Sequence, residues 1–139
     1  HNLGELLVAV QVPDKAIKCC QYNEKISPWK LQQHILGFNY AICSAKLMEF
    51  WQLPHQLYLP VMDLHNENKA LLNKDVAIIY TAVRASVAMA HHDLYSASQL
   101  ISPLVLKSLK LDQEDLKDAV KFASMEASAV MAVMNPSMR

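Results

Sequence analysis

The sequence predicts an all-α fold, a helical bundle of about six to seven helices, and three observations carry that prediction. Hydrophobic residues make up 53% of the 139 residues and only two residues are glycine, so there is a core to bury and little backbone freedom. The β-branched residues are scattered, and no alternation of period two marks a half-buried strand. Helix start signals at Ser27–Pro28, Asn73, Ser102–Pro103 and Asp112 punctuate apolar runs at helical spacing. A chain of this length is expected to be a single domain over residues 1–139, with no repeat or linker dividing it and a helical tail from about residue 98.

Taken in order, Leu3–Val10 is an apolar run marked only by Gly4 and Glu5, the end of a helix whose beginning is expected upstream. The chain starts at His1 without a methionine and is expected to be a piece of something longer. Pro13 and Asp14 open a short helix to about Lys25, with Ala16, Ile17 and Cys20 inward and Cys19 a further inward candidate. Ser27 as cap and Pro28 at the first position start a helix that runs to Leu36, and Gly37 ends it. A helix from Tyr40 to Trp51 follows, and Pro54 stops it and opens the next. That second helix ends in the polar cluster Asp63–Leu64–His65–Asn66.

Asn73 caps a long helix from Lys74 to about His91, whose polar positions Lys74, Thr81, Arg84 and His91 fall on one narrow line. So apolar a helix belongs in the middle of a bundle. Ser102–Pro103 begins a short helix to about Lys110, and Asp112 with Asp115 caps the last one, which ends at Met134 before Asn135–Pro136. Leu116, Ala119, Val120, Ala123, Ala127, Val130, Met131 and Met134 give it an amphipathic stripe.

Charge and cysteine content exclude several functions. Lys+Arg and Asp+Glu number 13 each, so no net field attracts nucleic acid or anionic lipid. Three cysteines, two of them adjacent (Cys19, Cys20, Cys43), make a poor disulfide framework and point to a cytoplasmic location. There is no signal peptide, and the most apolar segment, Val76–Ala90, has Arg84 in its middle and is too short to span a bilayer.

The polar residues able to carry chemistry are His1–Asn2, Asn39–Tyr40, His65–Asn66–Glu67 and His91–His92. Taken alone, His65 suits a helix end, where imidazole bonds orphan carbonyls, and His91–His92 read as an exposed helix terminus. No Ser/Cys/His triad spacing and no glycine-rich phosphate loop is present.

The order of the pieces says more. H-N-L-G-E-L at 1–6, L-G-F-N-Y at 36–40, W-Q-L-P at 51–54 and D-L-H-N-E at 63–67 stand in sequence with helical spacers. Over about residues 1–90 the chain resembles the second half of an HDOD domain, a bacterial relative of the HD-type metal-dependent phosphohydrolases. The resemblance implies an HD-domain-like bundle with metal-motif positions at His1, Asn2, Tyr40, His65, Asn66 and Val83. The sequence departs from that pattern where the ligands would be. The Asp of the H-D pair is Asn2, the histidine of G-x-D-H is Tyr40 after Asn39, only His65 of the paired histidines remains, and the aspartate of the long helix falls at Val83. Divalent cations that activate water need several imidazole and carboxylate donors, so no metal or other cofactor is expected.

Asn2, Tyr40 and Asn66 are expected to hydrogen-bond to one another as a structural polar knot, with Asn39, Glu67 and Arg84 as further contacts. The lesser alternative is a pocket that still binds an anion or small ligand weakly, with Arg84 as the one permanent charge available. The function that the resemblance implies is that of a non-catalytic signal-transduction domain, a pseudo-enzyme acting by contact with a protein partner or an attached signalling domain. A homodimer is left open. The alternative is a metal-dependent phosphohydrolase on nucleotide or cyclic-dinucleotide substrates with a reduced ligand set. Trp29, Trp51 and Tyr58 are the aromatic candidates for a contact patch, with Trp51 expected in the core at its corner and Trp29 open between packing and exposure. If the chain is half a domain, Leu3–Val10 leaves an uncovered apolar face.

Overall fold

The computed structural model describes residues 2–134; His1 and the Asn135–Pro136 stop lie outside the described residues. Among those residues there are ten helices and no strand: α1 (Leu3–Gln11), α2 (Pro13–Cys19), α3 (Pro28–Leu36), α4 (Tyr40–Phe50), α5 (His55–Met62), α6 (Glu67–Leu72), α7 (Lys74–Ala90), α8 (Ala97–Leu100), α9 (Pro103–Ser108) and α10 (Gln113–Met134). The all-α expectation holds. The count of six to seven falls short, in part because α6 and α8, of six and four residues, are too brief to show a period.

Two compact units emerge, one through Leu109 and one from Lys110. The second is α10, capped as expected: Asp112 Oδ1 accepts from the N–H groups of Glu114 and Asp115, while Asp115 Oδ2 accepts from Asp112 N–H. The first holds most of the buried core and every described site residue.

Two apolar clusters among the described residues join helices of the first unit. Val8, Cys19 and Tyr40 join α1, α2 and α4, with Ala16, Ile35, Leu36 and Phe38 packed on them. Ala41, Ala45, Val61 and Leu64 join α4 to α5, with Met48, Ile79 and Val83 closing the far side from α4 and α7. Helix α7 touches α5, α6, α8 and α9, the central place expected of it. Its polar line turns inward rather than to water, since Thr81 and Arg84 are buried.

Helices α1 and α4 meet at Gly4. A Cβ there would lie 2.8 Å from the Cys43 Cβ and 3.0 Å from the Ser44 nitrogen. The contact is fixed by polar bonds: Gly4 N–H donates to Ser44 Oγ at 2.8 Å, and that hydroxyl donates to the Tyr40 carbonyl at 2.8 Å. Gly37 closes α3 with φ +84°, the left-handed cap that glycine adopts without strain.

Three local readings are corrected. Helix α2 ends at Cys19, not Lys25, because the Tyr95 hydroxyl reaches the carbonyls of Asn23 and Ile26 at 2.8 and 2.9 Å and fixes a turn there. Within it Cys19 is fully buried, whereas Ile17 and Cys20 are exposed. Trp51 is 53% exposed, not core. The corner after α4 is closed by backbone bonds from Gln52 N–H to Glu49 and from Leu53 N–H to Met48, with Gln52 at φ 58°. That is a Schellman cap and needs no aromatic packing. On the outer face of α1, Leu3, Leu6, Leu7 and Val10 are all exposed.

Candidate functional site

The site gathers where the starts of α3 and α4, the end of α5 and the middle of α7 approach one another. Ser27 and Pro28 set the start of α3, which places Trp29 against His65 and Arg84 and, one turn on, Gln32 against the start of α4. The first turn of α4 has orphan N–H groups, and two neighbours satisfy them. Asn39 Oδ1 accepts from Ile42 N–H and Gln32 Oε1 accepts from Tyr40 N–H, each at 3.0 Å. Asn39 is thus a helix cap. Tyr40 is 5% exposed and packs with Val8 and Cys19. Burial, with the Cys19 thiol beside it, holds its phenol well above the ordinary value, so it stays neutral.

His65 follows the fully buried Leu64 at the end of α5. Its ring stacks on Trp29, with centroids 4.7 Å apart and planes 11° from parallel. The Arg84 guanidinium lies 4.4 Å from the Trp29 centroid and 3.3 Å from that of Tyr80. Its Nη1 donates to the carbonyls of Leu64 and Tyr80 at 3.2 Å each. Burial first, and then the neighbouring Arg84, push the His65 pKa down to about 3, so the imidazole is neutral at pH 7 with its Nδ1 buried and unpartnered. Burial lowers Arg84 to about 10, partly offset by Tyr80 and Glu67, which leaves it charged.

Of the expected positions, Asn2, Tyr40, His65 and Val83 line one cavity of about 210 Å³, together with Glu5, Tyr22, Trp29, Gln32 and His91. His1 lies outside the described residues. Asn66 does not join them: it is exposed and its Oδ1 accepts from Lys69 N–H at 3.2 Å, capping α6. Glu67 is also turned away, and its Oε1 accepts from the Ser102 hydroxyl at 2.6 Å. The mutual knot of Asn2, Tyr40 and Asn66 is therefore corrected, since helix ends claim the amide oxygens of both Asn39 and Asn66. His91 is also not the exposed terminus expected: it is half-buried, edge-on to Tyr22 at 4.6 Å. Sequence reading missed Gln32 and Tyr22 as wall residues. Gln32 had a signal, being one turn beyond Trp29 on the same face of α3; Tyr22 had none.

A catalytic metal does not fit this donor set. Among the described residues no three His, Cys, Asp or Glu side chains come together to hold an ion. Asn2 and Val83 bring no charge, and Arg84 beside His65 repels a cation from the one motif histidine described.

An all-helical unit with a cavity lined by four of these positions is consistent with an HD-like helical domain. Residues 1–67 match the family model of the HDOD domain. No curated protein and no solved structure matches the chain.

Proposed function

We propose that this chain is a regulatory HDOD domain that acts by contact with a protein partner or an attached signalling domain, in a bacterial cytoplasm, and without catalysis of its own. The observation that carries this reading is the treatment of His65. Stacked on Trp29, neutral and beside a buried guanidinium, it serves packing where a hydrolase would need a donor exposed to an incoming cation. The contact role is supported by the apolar corner after α4, where Phe50, Trp51, Leu53 and Leu57 are all exposed.

Metal analysis of the purified protein, followed by hydrolysis assays with added manganese or iron on nucleotide and cyclic-dinucleotide substrates, tests the proposal. The expected result is sub-stoichiometric metal and no turnover. Near-stoichiometric metal that is lost on His65→Ala, together with hydrolysis, would restore the phosphohydrolase alternative.

A further inference from the structure

Arg84 is 3% exposed and, among the described residues, no carboxylate forms an ion pair with it. A buried cation ordinarily brings its counter-ion with it. Here two carbonyls, two aromatic faces and the field of the nearby Glu67 carboxylate share that task, and Nε is left buried without a partner. The same arginine lines a second cavity, of about 450 Å³, separated from the first by the Trp29–His65 stack. Lys25 and Lys30 stand on its wall. So does Ser27, which occupies the cap position of α3 yet makes no capping bond, its hydroxyl buried and unpartnered. Against these three cations the wall carries two carboxylates, Glu24 and Glu67, which leaves one positive charge in excess, and the Ser102 hydroxyl turns Glu67 Oε1 toward itself.

Donors thus surround this cavity from three elements: the turn before α3, the first turn of α3, and α7. A planar carboxylate is satisfied by one guanidinium fork, whereas a tetrahedral, doubly charged group takes donors from several sides. The volume also exceeds what a bare ion fills. We infer that this cavity binds a small organic phosphate, anchored by Arg84 and Ser27 and drawn in by Lys25 and Lys30. The inference goes beyond the contact role proposed above and does not depend on it, because metal analysis and anion binding report on different cavities.

Trp29 fluorescence in a Trp51→Phe background reads occupancy directly, with phenyl phosphate, inorganic phosphate and benzoate titrated at constant ionic strength. Phenyl phosphate is expected to saturate the signal, with inorganic phosphate and benzoate each weaker by about tenfold. Arg84→Gln should abolish binding, and Lys25→Gln with Lys30→Gln should weaken it by about tenfold. Ser27→Ala should weaken it by a few fold, and Lys46→Gln, exposed on α4 and paired with Glu49, should change nothing. If Arg84→Gln does not fold by circular dichroism, the lysine pair and Ser27→Ala decide alone. A response that never saturates, or one that the folded variants leave intact, overturns the site; benzoate binding as tightly as phenyl phosphate overturns its assignment to phosphate.

Discussion

Replacing Gly4 by alanine tests the packing that holds the site's first wall. The added methyl would meet the Tyr40 carbonyl oxygen, the Cys43 Cβ at 2.8 Å and the Ser44 nitrogen at 3.0 Å. All three belong to the backbone or first carbon of α4, so no rotamer change relieves the clash and the helices must part. Alanine is preferred over glycine inside a helix by about 1 kcal/mol. Overpacking against an unyielding neighbour costs about 3 kcal/mol, and separating Gly4 N–H from the buried Ser44 hydroxyl costs about 1–2 kcal/mol more. The net loss is about 3–4 kcal/mol, a large part of the ~5–15 kcal/mol that holds a domain folded. Thermal unfolding should fall by roughly 10–20 °C, and the urea midpoint should fall with an unchanged slope. Gly37→Ala is the control: no atom lies within 4 Å of the new Cβ, and only the left-handed backbone costs about 1–2 kcal/mol. If Gly4→Ala were as stable as the parent, or gained the ~1 kcal/mol of helix preference, the close approach of α1 and α4 would be refuted.

Further expectations address single features. Because the folded state keeps His65 neutral down to about pH 3 while the unfolded chain protonates it near 6.5, acidification favours the unfolded state. Stability should fall as the pH drops below about 6.5, with a slope that approaches about 1.4 kcal/mol per pH unit from about pH 5.5 to 4.5, and His65→Gln should remove most of that slope in urea melts; an unaltered slope would show that the ring is solvated. Gln52 holds the left-handed position of the corner cap, so Gln52→Gly should raise stability by about 0.5–1 kcal/mol; a loss would mean that the side chain contributes there. Trp51→Ser should cost under about 1 kcal/mol, against the ~3–5 kcal/mol of a buried tryptophan lost to alanine, and a cost in that upper range would return Trp51 to the core.

Much of this architecture was legible because helix ends are written in local chemistry. Pro28, Gly37, Asn73 and Asp112 each sit where backbone groups lack partners and do in the structure what their types suggest, whereas Ser27 holds the cap position without making a side-chain capping bond. The errors arose where tertiary contact overrode local signals. Nothing near Lys25 foretells that a hydroxyl from Tyr95 will pin the turn at Asn23 and Ile26. The positions carried by the family resemblance placed four residues on one cavity, yet gave no hint that Asn39 and Asn66 serve as caps. Arg84 stood out as a lone charge on an apolar helix, but its stacking on Trp29 joins segments too far apart for spacing to show.

The family signature stops at residue 67, whereas the back of both cavities comes from α7, which begins at Lys74. A protein trimmed at the end of the signature would have no Ile79 or Val83 to shield Ala41, Ala45 and Leu64, and no guanidinium to sit over Trp29. Such a fragment would meet water with the very surface that should be its interior, and would be more prone to clump than to signal. Anyone trimming or grafting this module should therefore place the boundary by its hydrophobic seams, at Leu109 or later, and not by the reach of its motifs.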